Sequence, residues 1–168
     1  LSGNLVINTN MSLIYFLNRS KLKNKSVFID GLYYKLDHST NTATVADRKE
    51  LNRHDGSCIL GDVVIPEEIT YLRKTFLVTA IGPGAFRDWT GMTSLVIPDT
   101  VVSIGERAFE SCVSMVSIAI PKSINRIGKW AFAWCTALES VILPEQITVI
   151  ESYLFSSCKK LKSINTLG

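Results

Sequence analysis

The sequence predicts a repeat solenoid: 23-residue coils, each with a parallel β-strand, a bend and a short helical turn, behind an N-terminal β-hairpin or meander cap. Three columns predict it. Pro98, Pro121 and Pro144 stand 23 residues apart; Phe86, Phe109, Phe132 and Phe155 keep the same step, as do Cys112, Cys135 and Cys158. A fixed period of roughly 20 to 50 residues marks a unit that buries its apolar side only against its neighbours. Residues pointing into such a stack must stay apolar in every coil. Val101/Ile124/Ile147, Ile104/Ile127/Ile150, Ala108/Ala131/Leu154, Met115/Leu138/Leu161 and Ile118/Val141/Ile164 do so, with polar and charged residues between them.

Composition narrows the function classes. A chain that is 46% hydrophobic and 20% charged orders around a core rather than staying unfolded. Its net charge of +3 is spread out, with short basic clusters only at Arg19 to Lys25 and Lys159 to Lys162, so nucleic acid is not an expected partner. The longest apolar run, Leu13 to Leu17, is far below the roughly 18 residues that span a bilayer, and its cations follow it, the reverse of a signal peptide. Beginning at Leu1, the chain reads as a fragment or mature segment.

Residues 1–26 read as a leader or a partly ordered segment, 27–62 as the β cap and 63–168 as the repeats. In the cap, Val27-Phe28-Ile29 and Leu32-Tyr33-Tyr34-Lys35-Leu36 flank Asp30-Gly31, a tight-turn signal, and Thr42 to Ala46 adds a strand. This meander covers the first coil, whose apolar surface and backbone would otherwise face water. Asp47 to Gly61 is a polar loop. From Pro66 to Pro98 the interval is 32 residues, and the surplus falls at 69–81, where Ile69 to Leu72 and Phe76 to Ile81 flank Arg73-Lys74-Thr75 as a hairpin. Such an insertion belongs either to the cap or to a binding face. In each later coil a strand such as Leu138 to Leu143 stops at proline, and Gly105 and Gly128 ease the next corner. Ala-Phe-x-x-Cys then makes the helical turn.

The pattern Ile-Pro-x-x-Ile/Val-x-x-Ile-Gly-x-x-Ala-Phe-x-x-Cys-x-x-Leu-x-x-Val-x-Ile-Pro resembles the BspA-like leucine-rich repeat family over Val63 to Leu167. The Asp30-Gly31-Leu32-Tyr33-Tyr34 segment is similar to the leader preceding such repeats in gut and oral bacterial surface proteins. The resemblance implies a curved right-handed solenoid, usually exported, that binds proteins or surfaces, and it carries over no catalytic residue. Trp89 stands in the cysteine column, Glu151 in the glycine column, and Tyr153-Leu154 departs from the alanine pattern.

Convergent polar groups of the kind enzymes use are missing from the sequence. His38 and His54 lie in loops at no metal-binding spacing, and Cys58 beside His54 and Asp55 does not have triad geometry. No catalytic residue, metal or cofactor is expected. A cysteine ladder diverges where zinc needs convergence, so Cys112, Cys135 and Cys158 read chiefly as buried core, with a disulfide or metal as rivals. The surface is where candidates lie. Trp130 and Tyr153 share a column and Trp134 lies beyond Phe132, as recognition anchors or as packing. Outward strand positions include Val116 and Glu139 in one column and Val96, Ala119 and Ile142 in another, as a contact stripe or a tolerant face. Ser94, Ser117, Ser140 and Ser163 align between them, and stacked hydroxyls there would chiefly satisfy neighbouring backbone.

The expected function is a binding module presenting an extended face to a protein or glycan at the cell surface. Its rival is a structural spacer, or the N-terminal part of a longer array. Leu161 and Ile164 call for self-association or further repeats to cover them.

Overall fold

The computed structural model describes residues 26–47 and 61–167. The expectations for Leu13 to Leu17, the basic cluster before Val27, His54 and Cys58 lie outside the described residues. A first sheet joins the cap to the coils. Its strands are β1 (Val27–Ile29), β2 (Leu32–Asp37), β3 (Thr42–Ala46), β6 (Lys74–Ile81), β8 (Ser103–Ile104) and β10 (Arg126–Ile127), in that order, with β5 (Glu68–Tyr71) also on β6. The cap strands are antiparallel to one another, and from β3 onward the path is parallel. The meander therefore caps the stack by adding strands to it. It also lends core residues: Leu32, Tyr34, Ala43 and Val45 are buried in one cluster with Phe76 and Phe86.

The opposite side of the coils carries β4 (Gly61–Val64) paired with β7 (Met92–Val96), then β9 (Ser117–Ala119), β11 (Ser140–Pro144) and β12 (Ser163–Leu167), also parallel. Register here is the repeat itself: Ile118, Val141 and Ile164 are direct partners. Side chains 23 apart lie over one another, as the sequence columns require.

The insertion at 69–81 forms a hairpin, but with a tighter turn than the one read at Arg73-Lys74-Thr75. Leu72 and Arg73 are its two turn residues, with φ of 49° and 64°, and β6 begins at Lys74. Two left-handed residues make a type I′ turn, whose twist matches that of the flanking strands. The hairpin is anchored, since β6 pairs with β3, β5 and β8.

The expected helical turn at Ala-Phe-x-x-Cys is absent. The chain runs through consecutive turns with a left-handed residue at each end. Gly84, Arg107, Trp130 and Tyr153 form one left-handed column; Asp88, Ser111, Trp134 and Ser157 form the other, all with φ between 56° and 64°. Left-handed residues redirect the peptide plane, so the N–H groups between them aim along the stack rather than into a helix. Phe86 thus donates to the Ala108 carbonyl and Phe109 to that of Ala131, both at 2.8 Å.

Gly105 and Gly128 are required by the coil beneath rather than by the corner. A Cβ on Gly105 would sit 2.5 Å from the Pro83 nitrogen, and one on Gly128 2.5 Å from the Glu106 nitrogen. Glu151 brings a Cβ into this column. The fourth coil responds by leaving the first sheet: no strand follows β10 there, and Val149 and Ile150 are 71% and 51% exposed. Ile150 is therefore not inward as its column suggests. Ile164 keeps its column, paired with the buried Val141, although it is 46% exposed, and Ile147 and Leu161 are half-buried.

Candidate recognition surface

Phe86, Phe109, Phe132 and Phe155 stack as one column, with successive ring centroids 5.4, 5.1 and 5.6 Å apart and planes within 13° of parallel. Beside them the thiols of Cys112, Cys135 and Cys158 each donate to the phenylalanine carbonyl of the preceding coil, Phe86, Phe109 and Phe132, at 3.1 to 3.2 Å. All three are free cysteines. Burial pushes the Cys112 thiol up to about 12 and raises those of Cys135 and Cys158 as well, so they remain neutral. The column therefore asks for a small donor as well as for packing. Trp89, in the same place one coil earlier, stays buried by meeting Phe86 edge to face.

Two outward surfaces remain. On the turn ridge, Tyr153 stacks on Trp130 at 4.2 Å and 14°, and the Arg107 guanidinium lies 5.5 Å from the other side of the column, over the Trp130 ring. Trp130 thus packs between its column neighbours. Arg107 was not singled out from the sequence, although its 23-residue spacing from Trp130 marks it. It also pairs with Glu106 and with Glu110, which Arg87 holds at 2.9 Å. Tyr153 and Trp134 project, at 61% and 49% exposure. A shallow cleft at the start of the ridge is lined by Asp47, Gly84, Arg87, Glu106 and Arg107. Its charges are of both signs.

The second surface is the outer side of β4, β7, β9, β11 and β12. Val64 pairs with Val96 in a two-stranded sheet and Ala119 with Ile142 in the neighbouring three-stranded one, all four apolar and outward. Val64 and Val96 are 64% and 55% exposed, and Val116 beside them is 50% exposed. Ile142 is half-buried. Val64 was hidden in the sequence because 32 residues, not 23, separate it from its partner. Next to them, Ser94 and Thr93 donate to Asp62 at 2.7 and 3.0 Å, which lowers the Asp62 carboxyl. The hydroxyls of Ser117, Ser140 and Ser163 make no hydrogen bond among the described residues, contrary to the expected backbone-satisfying ladder. Glu139 is engaged by Lys162 at 2.8 Å, which holds its carboxyl below the usual range. His38 is exposed, with its ring edge on Phe76. No group of three or more metal-ligating side chains occurs among the described residues, and no described helix could cross a membrane.

Known proteins match this geometry. A leucine-rich repeat protein from Bacteroides capillosus superposes with a TM-score of 0.69 at 26% identity, covering 85% of this chain and 99% of that one. A leucine rich cell surface protein from Faecalibacterium prausnitzii gives 0.62 at 24% identity over 85% of this chain, which spans only 43% of it. A leucine rich repeat protein of T. pallidum gives 0.60 at 23%, covering 83% of this chain and 71% of that one. The last two likenesses speak for the fold alone. Among curated proteins nothing matches. The BspA type leucine rich repeat region matches residues 57–167 in six copies, so the chain belongs to the BspA-type leucine-rich repeat family.

Proposed function

We propose that this chain is a non-enzymatic binding module that works at the bacterial cell surface and holds a protein ligand on the outer side of β4, β7, β9 and β11. One observation carries the reading: the set Val64, Val96, Ala119 and Ile142, with Val116 beside it, is apolar and largely exposed on strands whose inward residues already fill the core. Exposed apolar side chains in a contiguous patch contribute nothing to this core and gain only when a partner covers them. Covering them contributes on the order of a few kcal/mol. The flanking hydroxyls of Ser117 and Ser140 supply polar contacts at the rim of such an interface. Membership of the BspA-type leucine-rich repeat family supports the location.

Val96→Lys combined with Val116→Lys tests the face. Both positions are at least half exposed, so the melting temperature stays within a degree or two, while capture of an extracellular protein ligand on a biosensor weakens at least tenfold. A ligand held equally well by the double variant would refute the use of this face. Trp134→Ala serves as the comparison on the ridge, where loss of the ligand with stability intact would move the site there.

A further inference from the structure

One left-handed column of the ridge carries a large planar side chain in three coils and none in the first. Tyr153 stacks on Trp130 at 4.2 Å, the Arg107 guanidinium lies over the Trp130 ring at 5.5 Å, and one coil earlier stands Gly84. Gly84 keeps the backbone of the column. Its φ is 63°, and its N–H donates to the Glu106 carbonyl as that of Arg107 does to Lys129. The place a side chain would take there is the cleft of about 390 Å³ bounded by Asp47, Pro83, Gly84, Arg87, Glu106 and Arg107. That volume is at the small end of the range of roughly 300 to 1,000 Å³ for ligand sites, enough for one ring. A Cβ on Gly84 would lie 2.9 Å from Asp47 Oδ2 and 3.9 Å from the Arg87 Cβ, so side chains wall the space.

The charges around this space are arranged to a pattern. Arg107 is held by its edge: its Nε is 3.4 Å from Glu106 Oε1 and its Nη1 is 3.4 Å from Oε1 of the buried Glu110, which leaves the two faces of the guanidinium for stacking. One face lies on Trp130; the other fronts the cleft. Arg87 holds Glu110 in turn at 2.9 Å. A second guanidinium placed in the cleft would meet Arg107 and Arg87, and an anion would meet Asp47 and Glu106. An aromatic ring suits both signs at once, since its negative face takes the cation and its positive edge takes the carboxylates. We infer that the Gly84 cleft receives a tyrosine side chain of a protein ligand, whose ring continues the Arg107, Trp130 and Tyr153 stack and whose hydroxyl donates to Glu106 at the rim, where that side chain is 57% exposed. The site is on the ridge, apart from the strand face proposed above, and either can fail without the other.

N-acetyl-tyrosinamide is the probe, titrated into the isotope-labelled full chain and followed by NMR. It should shift the Gly84 amide and the Arg107 Nε–H resonance with a dissociation constant in the low millimolar range, as a fragment-sized ligand allows. N-acetyl-phenylalaninamide, lacking the hydroxyl, should bind several-fold more weakly, and the leucine and arginine analogues at least tenfold more weakly. Arg107→Leu keeps a side chain against Trp130 but removes the cation, and should weaken the tyrosine probe at least fivefold. Gly84→Tyr fills the cleft from within, at a φ that Tyr153 already adopts, and should abolish uptake of the probe. The inference is overturned if no cleft resonance moves, if the leucine or arginine analogue binds as well as tyrosine, or if Gly84→Tyr still takes up the probe. Should Gly84→Tyr fail to fold, Arg107→Leu decides, and an affinity equal to that of the unaltered chain would refute the site.

Discussion

The third and fourth coils carry nearly the same columns and differ in what covers them. Phe132, Cys135, Ile127 and Val141 are buried, whereas Phe155 and Cys158 are half-buried and Ile150 and Ile164 are exposed. Identical residue types thus end in different surroundings. Burial in this molecule is a property of the stack, contributed by the neighbouring coil, and a residue in the right column inherits it only if that neighbour is present. The glycine column teaches the same lesson from the backbone. Gly128 lets its coil approach the one before it; Glu151 does not, and the fourth coil parts from the first sheet at that point.

The largest effect that can break this comparison is at the phenylalanines. Phe132→Ala should cost about 3–5 kcal/mol in denaturant unfolding, since a ring sandwiched between two others leaves a cavity. Phe155→Ala should cost less than half of that. Equal losses would show that the terminal coil is as well covered as the internal one. Next comes the corner: Gly128→Ala places its new methyl against the Glu106 and Gly105 backbone, which cannot yield as a side chain would, and should cost about 1–3 kcal/mol. Glu151→Ala should be nearly silent. Glu151→Gly should slow amide exchange at Ile150 by letting the fourth coil close.

Titration sharpens the contrast between interior and end. Tyr34 and Cys112 are neutral in the folded protein, with burial raising both to about 12 from 10.0 and 9.0. Their contribution to stability is complete below the unfolded values and is lost as pH rises toward about 12. The melting temperature should therefore fall progressively above roughly pH 9. Under a thiol-alkylating reagent at pH 8, mass spectrometry should find Cys158 modified before Cys112 or Cys135, because it is the half-buried member of the ladder. Simultaneous modification of all three would mean that the stack opens as a unit. The smallest effect is at the left-handed columns. Ser111→Gly removes a Cβ from a residue at φ 64°, and should gain no more than about 1 kcal/mol, because glycine also loses more freedom on folding.

The period, the core columns and the β cap were legible because each coil repeats the same packing problem, and a solution repeated three or four times rises above chance. The turn ridge was not. Ala108, Phe109 and Cys112 carry apolar spacings of one, three and four, which a helix would also show, and apart from Gly84 and Asp88 the left-handed positions hold Arg, Trp, Tyr and Ser, residues that usually avoid them. Gly84 was the one ordinary signal in that column. The hairpin turn was misplaced for a related reason, since Leu72 and Arg73 lack the Asn-Gly character of such turns. On the surface, Val116 and Ile142 stood out by their columns, while Val64 needed the register that only the pairing of β4 with β7 reveals. Trp130 was visible as an aromatic in a variable place. Its enclosure by Arg107 and Tyr153 depends on ring orientations that sequence does not encode.

The two left-handed columns separate a residue's conformation from its identity. At Gly84, Arg107, Trp130 and Tyr153 the backbone keeps one φ while the side chain passes from nothing to a cation to two aromatic rings, and at the first three adjoining coils hold the peptide planes in place. These sites can exchange side chains without redesigning the scaffold. The ridge is in effect an interchangeable display, on which new contacts arise by single substitutions.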